Sequence, residues 1–166
     1  MNRLAHWLGA LALGGLSSVT LADNHGHGHD APAWQVHGAH HLSVILGGTH
    51  IDGEGTAETI GLDYEYRISD RVGLGAVVEH AAGEIDATTS LAVVDVHPFN
   101  NQLIVQLGVG VEARSGDEED DVFVARTGVL YEFEHGRYSW SPQLHWDYHD
   151  GHPNAVVVGV AFGVAF

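Results

Sequence analysis

Apolar residues alternate with small or polar residues along most of the chain beyond residue 39. In 58–68, for example, the even positions include Ile60, Leu62 and Tyr64, whereas the odd positions are small, hydroxylated or charged. A period of two residues is typical of a β-strand whose two faces meet different surroundings. The alternation predicts eight strands, which span 40–50, 58–68, 72–81, 88–97, 102–114, 122–133, 138–149 and 155–166.

The sizes of the residues indicate which face of each strand points inward. Glycines lie mostly at the alternate strand positions that also carry the polar residues, which we call the polar parity. Examples are Gly61, Gly108 and Gly128, and their small size fits a crowded interior. The seventh predicted strand has aromatic residues at both of its ends, as a lipid-facing wall requires: Tyr138, Trp140, Trp146 and Tyr148. The alternative is a soluble barrel or sandwich that turns its apolar stripe inward. The pattern favours an all-β, eight-stranded antiparallel transmembrane β-barrel.

The first 22 residues have the organisation of a secretory signal peptide. A basic segment around Arg3 precedes an apolar run over 8–16, and small residues lead to a cleavage site after Ala22. The alternative, a membrane anchor, is disfavoured because a spanning helix needs about 20 apolar residues. We therefore predict a signal peptide at 1–22, a flexible His-rich leader at 23–38 and the barrel at 39–166.

Composition and charge exclude several kinds of site. The chain has no cysteine, so disulfides and Cys-based metal or redox sites are excluded. It has 22 acidic residues against 6 basic ones and a formal net charge of −16. Binding to nucleic acid is disfavoured because phosphates need a basic surface, whereas an acidic surface attracts cations.

The signal peptide, the alternating strands and the ending "VAFGVAF" resemble the small eight-stranded outer-membrane β-barrels of Gram-negative bacteria, of the OmpA and OmpX type. The resemblance covers about 39–166. It implies that the terminal Phe166 and the apolar residues before it are recognised by the barrel-assembly machinery. It also implies a location in the cell outer membrane.

The lengths of the connections predict how such a barrel is oriented. Tight turns at 69–71, 98–101 and 134–137 alternate with longer, more acidic connections. The longer connections are 51–57, 82–87, 115–121 and 150–154. Short turns of outer-membrane barrels lie in the periplasm and long loops lie outside, so both chain termini are predicted to be periplasmic.

Two segments have the composition of cation-binding sites. The stretch 23–41 contains His25, His27, His29, His37, His40 and His41. Imidazoles on a flexible chain suit Zn²⁺, Cu²⁺ or Ni²⁺, although a disordered leader can also tolerate histidines without binding metal. The acidic loop 115–121 lacks EF-hand spacing and is predicted to be solvated, with divalent cations bridging it to outer-membrane lipid and lipopolysaccharide.

Charged residues of the inward parity are predicted to fill the barrel as an ion-pair plug rather than to line a pore. A turn at 134–137 predicts that Glu132 lies beside Ser139 and that Arg126 lies beside His145, with Asp147 one pair further on.

Two histidines, His41 and His80, are candidate catalytic bases because each has a serine within reach on a predicted strand. Some outer-membrane barrels are lipid A deacylases with a His-x-Ser pair and a Glu, which His41 and Ser43 resemble, but Val44 follows where that motif has Asn. A hairpin centred on Ile85 would instead place His80 opposite Ser90. The leading hypothesis is a non-enzymatic integral outer-membrane β-barrel with a structural or surface-interaction role and a metal-binding leader. The alternative is a lipid-modifying hydrolase that uses His80 and Ser90.

Overall fold

The computed structural model describes residues 38–83, 85–99, 102–114 and 121–166. The predicted signal peptide, the leader up to residue 37 and most of the acidic loop lie outside these residues. The described part contains nine β-strands: β1 His40–Ile51, β2 Gly55–Ser69, β3 Val72–Ala81, β4 Ala87–Val96, β5 Leu103–Arg114, β6 Val122–Tyr131, β7 Phe133–His135, β8 Tyr138–His149 and β9 Ala155–Ala165. Within it, no helix is long and apolar enough to cross a membrane.

The strands form one closed antiparallel sheet. Neighbouring strands follow the order β6-β5-β4-β3-β2-β1-β9-β8, and β6 pairs with β8 to close the ring. β7 continues β6, because Leu130 pairs with Gln143 and Phe133 pairs with Trp140 in the same register. The short gap between β6 and β7 faces Pro142, which has no N–H to donate to the ladder. β6 and β7 are therefore one wall strand, and the predicted eight-stranded barrel is confirmed.

Each strand presents one face to the lumen and the other to the outside. On β8, Gln143 and His145 are buried, whereas Leu144 and Trp146 are exposed. The same alternation continues around the sheet, with bulky apolar side chains outside and small or polar ones inside. The predicted assignment of the two parities is therefore confirmed.

Some predicted connections differ from those in the structure. The first was predicted at 51–57, but Ile51 already pairs with Gly55 and the turn is 52–54. Conversely, β4 ends at Val96 and β5 begins at Leu103, so the connection predicted as a tight turn at 98–101 is longer. The prediction of tight turns at one end and long loops at the other is thus only partly correct.

The turn between β7 and β8 contains two residues, Gly136 and Arg137, because His135 pairs with Tyr138. Gly136 has φ 62°, which suits the first central position of a type II′ hairpin. This turn shifts the register by two residues from the prediction. Glu134, and not Glu132, pairs with Ser139.

Replacing Gly136 by alanine is expected to lower the free energy of unfolding by about 1 kcal/mol, because a Cβ is strained at positive φ. An added Cβ would meet no atom within 4 Å, so the backbone alone causes the loss. Urea unfolding in lipid vesicles measures the change. The control is Gly48→Ala, where φ is not positive and the added Cβ would make an ordinary contact of 3.4 Å. Equal losses in both variants would contradict the assignment of the turn.

Candidate functional site

The lumen is filled by side chains. We call the end with Gly38 and Phe166 the termini end, and the end with the turns 52–54, 82–86 and 150–154 the distal end. A buried apolar cluster is contributed mainly by mid-strand residues: Ile45, Val77, Leu91, Val93, Val124 and Ala161. A second apolar cluster fills the distal end: Ile51, Ala57, Ala81, Ile85, Ala87 and Ala155. Polar side chains form networks around these clusters.

Arg126 is the centre of one buried network. Its Nε and Nη2 atoms donate to Asp147 at 2.7 and 2.6 Å, and Nη2 also donates to Glu79 at 2.6 Å. Arg126 pairs with Asp147 across the β6–β8 ladder, whereas His145 pairs with Gly128. The prediction that Arg126 lies beside His145 is therefore wrong by two residues, for the reason given above for the turn at Gly136.

Glu112 accepts hydrogen bonds from three sides at the distal end of the same lumen. Thr89 donates its hydroxyl at 3.0 Å and Arg114 donates Nε at 2.8 Å, while His149 Nε2 lies 3.2 Å away. Arg114 also donates to Glu54 at 2.9 Å. These contacts, with those of Arg126, form the ion-pair plug that the inward charges predict.

The termini end contains a more acidic network. Glu65 accepts hydrogen bonds from Arg67 at 3.2 Å and lies 3.2 Å from His97 Nε2. Gln106 is fully buried, and its Nε2 donates to Asp63 at 3.3 Å and to Asp95 at 3.0 Å. One amide thus bridges two carboxyl groups.

Replacing Gln106 by leucine is expected to lower the free energy of unfolding by about 2 kcal/mol, because a buried and a half-buried carboxyl group lose a donor. The matched control is Gln143→Leu. Gln143 is also buried, but its amide has no hydrogen-bond partner among the described residues. We expect Gln143→Leu to be neutral or stabilising in the same urea titration. A loss of similar size in both variants would contradict the bridging role of Gln106.

His41 contacts a serine, but not as a catalytic relay. It lies inside the barrel as predicted, and its Nε2 is 2.8 Å from Ser139 Oγ rather than bonded to Ser43. The same nitrogen is 3.5 Å from Glu132 Oε1. In a triad the base binds the nucleophile with one nitrogen and the carboxylate with the other. The adjoining cavity, about 30 Å³, lies at the termini end and does not provide room for a lipid.

The second predicted catalytic pair does not form. His80 pairs with Thr88, and Ser90 pairs with Val78. The hairpin is centred one residue before Ile85, and positive φ values at Gly83 and Asp86 accompany this tighter turn. His80 Nδ1 is 3.1 Å from Thr88 Oγ1. The prediction that His80 faces Ser90 is wrong, and the hydrolase alternative loses the geometry on which it depended.

The predicted metal-binding histidines are only partly covered by the structure. His25, His27, His29 and His37 lie outside the described residues. His40 and His41 point to opposite faces of β1, as consecutive strand residues must. His40 stacks on Phe166 at 5.5 Å between ring centroids, and its Nδ1 is 2.7 Å from the Tyr64 hydroxyl.

Within the described ranges, no group of three or more His, Cys, Asp or Glu side chains has a geometry that could hold a metal ion. His40 and His41 could not both join the leader histidines in one site without one of them leaving its present contacts. Metal binding by the leader stays a prediction.

The chain is similar to known proteins in its fold and not in its sequence. No protein-family model matches the chain, and no curated protein matches its sequence. The chain is similar to the N-terminal β-barrel domain of Pseudomonas aeruginosa OprF, with 13% identity and a TM-score of 0.53 over 74% of this chain and 96% of that chain. It is similar to the outer membrane protein OprG from Pseudomonas aeruginosa, with 12% identity and a TM-score of 0.52 over 78% and 98%.

A de novo designed transmembrane β-barrel gives 14% identity and a TM-score of 0.50 over 75% of this chain and 95% of that chain. These identities are too low to carry a ligand or an activity from one protein to another. The chain has the fold of the small eight-stranded outer-membrane β-barrels.

Proposed function

We propose that the chain is a non-enzymatic integral protein of the outer membrane, with a structural or surface-interaction role. The observation that carries the proposal is the apolar outer wall. Leu62, Trp146 and Val158 are exposed by 53%, 50% and 56%, and similar side chains surround the barrel. An apolar surface of this extent marks contact with lipid or protein, and a ring of it around a closed barrel suits a bilayer.

The filled lumen supports a role that involves neither conduction nor catalysis. Ion pairs and apolar clusters occupy it, and the internal cavities found among the described residues measure about 30, 20 and 10 Å³. Pockets that bind small molecules are typically about 300–1,000 Å³. Interaction with other molecules would therefore occur at the outer wall or at the two ends.

The termini end is the proposed periplasmic end. Phe166 is built into the wall, where its backbone N–H donates to the His40 carbonyl at 2.9 Å and its ring stacks on His40. This position suits the proposed recognition of the C-terminal strand by the barrel-assembly machinery. The distal end carries exposed acids, including Asp52, Asp121 and Asp150, which suit divalent cations at the outer surface.

Cell fractionation tests the proposed location. The protein should remain in the outer-membrane fraction after carbonate washing, and it should migrate faster on a gel before heating than after heating. External protease should cleave at the acidic loop 115–121 and leave both termini intact in whole cells. Recovery in a soluble fraction would contradict the proposal, and cleavage of the N-terminal leader in whole cells would contradict the orientation.

We further propose that the periplasmic leader binds Zn²⁺, Cu²⁺ or Ni²⁺ through its histidines. Its supporting observation is the sequence spacing, because alternate imidazoles on a glycine-containing chain can converge on one ion. Calorimetric titration of each metal into the mature protein, and into a version that begins at Ala39, tests this. Heat that depends on the leader is expected, whereas equal heats from both proteins would contradict metal binding by the leader.

A further inference from the structure

The apolar outer wall does not reach the distal strand end on every strand. On β5, β6, β8 and β9 it reaches the distal strand ends with Val111, Phe123, Tyr148 and Val156. On β1 to β4, outward positions near the distal end are polar instead: His50, Thr56, Glu58, His80, Thr88 and Ser90. We call His80, Thr88 and Ser90 the polar notch. The outward face near the distal strand ends is therefore polar on β1 to β4 and apolar on β5, β6, β8 and β9.

An apolar groove lies directly beside the notch along β4. It has a volume of about 460 Å³, and its lining includes Leu74, Ala92, Val94, Leu107 and Val109. Ala92 is small, and it lies between Ala76 on β3 and Val109 on β5. Two residues further along β4, Ser90 lies between Val78 and Val111, and Thr88 follows beside His80. Small side chains on β4 thus form a floor that runs from the groove into the notch.

The notch has unused hydrogen-bonding capacity. Among the described residues, the Ser90 side chain has no hydrogen-bond partner, although it faces outward from the wall. When Thr88 donates its hydroxyl to His80 Nδ1, the ring proton lies on Nε2, which is 3.8 Å from Asp86 Oδ1 and so beyond hydrogen-bond distance. Polar groups that face hydrocarbon without a partner are costly, so a ligand with acceptor groups is favoured here.

We propose that the groove and the polar notch bind lipid A of the outer leaflet. An acyl chain lies in the groove, a lipid carbonyl accepts the Ser90 hydroxyl proton, an acyl-chain hydroxyl donates to Thr88 Oγ1, and a further uncharged lipid oxygen accepts the Nε2 proton of His80. Lipid A fits because its hydroxylated acyl chains carry hydroxyl groups beside hydrocarbon, as Ser90 lies beside the apolar groove. The inference rests on the proposed function, since the distal end must face the cell exterior.

The test uses the full mature protein, purified in detergent, stripped of lipid and titrated with purified lipid A under native mass spectrometry. Ala92→Phe fills the groove, and a Thr88→Val, Ser90→Ala double variant removes both hydroxyls with little change in shape. Each is expected to weaken lipid A binding about ten-fold, or by about 1.4 kcal/mol. Phosphatidylethanolamine, as the phospholipid probe, is expected to bind the unaltered protein more weakly than lipid A.

Two variants on other strands serve as controls. Val160→Phe places the same aromatic ring on β9, which lies opposite β4 in the strand order, and Thr127→Val removes an outward hydroxyl on β6. Both are expected to bind lipid A normally. Equal binding by all variants, or equal binding of phosphatidylethanolamine and lipid A, would overturn the proposal. If Ala92→Phe does not fold, lipid A binding by the Thr88→Val, Ser90→Ala double variant tests the proposal on its own. Cell fractionation tests the outer-membrane location separately. Failure of the lipid A proposal can therefore be distinguished from failure of the proposed location.

Discussion

Replacing Arg126 by leucine is expected to lower the free energy of unfolding by about 3–5 kcal/mol, because removal of one partner leaves buried charges uncompensated. Arg126 is 3% exposed, and its guanidinium is the cation that contacts both Glu79 and Asp147. Urea unfolding in lipid vesicles, followed by tryptophan fluorescence, gives the change.

Two control variants test whether the loss of stability comes from the buried charges. Arg71→Leu removes an exposed arginine from the turn between β2 and β3 and should change stability little. A triple variant with Arg126→Leu, Glu79→Gln and Asp147→Asn should recover part of the loss, because no charge is then left unpaired. If the triple variant is less stable than Arg126→Leu alone, the ion pairs do not account for the effect.

Placing an arginine on the outer wall is expected to have the next largest effect. Leu144 lies in the middle of β8 and points outward, so under the proposed location Leu144→Arg would put a charge near the bilayer midplane. The expected loss is about 2–4 kcal/mol, as for arginine at the midplane of outer-membrane barrels. The free energy of unfolding in vesicles again measures it.

The control for Leu144→Arg is a charge at the membrane edge. Phe99 is 72% exposed in the connection between β4 and β5, and Phe99→Arg should cost about 0–1 kcal/mol. A similar loss at both positions would mean that Leu144 does not face hydrocarbon.

The strands and their two faces could be predicted because each face meets a different environment over its whole length. On β8, alternate residues pass from buried Gln143 to exposed Leu144 and back to buried His145, and the sequence carries that alternation directly. The gap between β6 and β7 was not predicted, because 122–133 has the pattern of one strand. Its signal is Pro142 on the neighbouring strand, which lies within an otherwise regular strand pattern.

Register was harder to predict than strand identity. A shift of two residues leaves every side chain on the same face, so the hydrophobic pattern does not distinguish Asp147 from His145 as the neighbour of Arg126. The turns decide register, and a change of one residue in the centre of a turn moves each pair by two. The wrong pairing of His80 with Ser90 has this cause, because Thr88 and Ser90 share the outer face of β4.

Contacts across the lumen could not be predicted from hairpins at all. Glu79 on β3 reaches Arg126 on β6, and His41 on β1 reaches Ser139 on β8, although neither pair of strands is adjacent. These contacts depend on the tilt and stagger with which the sheet closes. In contrast, the separation of His40 from His41 follows from the period of two, which already assigns consecutive residues to opposite faces.

The central claim is that the apolar parity faces lipid hydrocarbon and the polar parity faces the enclosed lumen. Quenching by brominated lipids tests it on single-tryptophan variants of the mature protein in vesicles, with either Trp140 or Trp146 retained. Both point outward and should be strongly quenched, whereas a tryptophan introduced by Ser139→Trp, at an inward position, should be quenched far less. Equal quenching at all three positions, or no quenching of Trp140 and Trp146, would contradict the account.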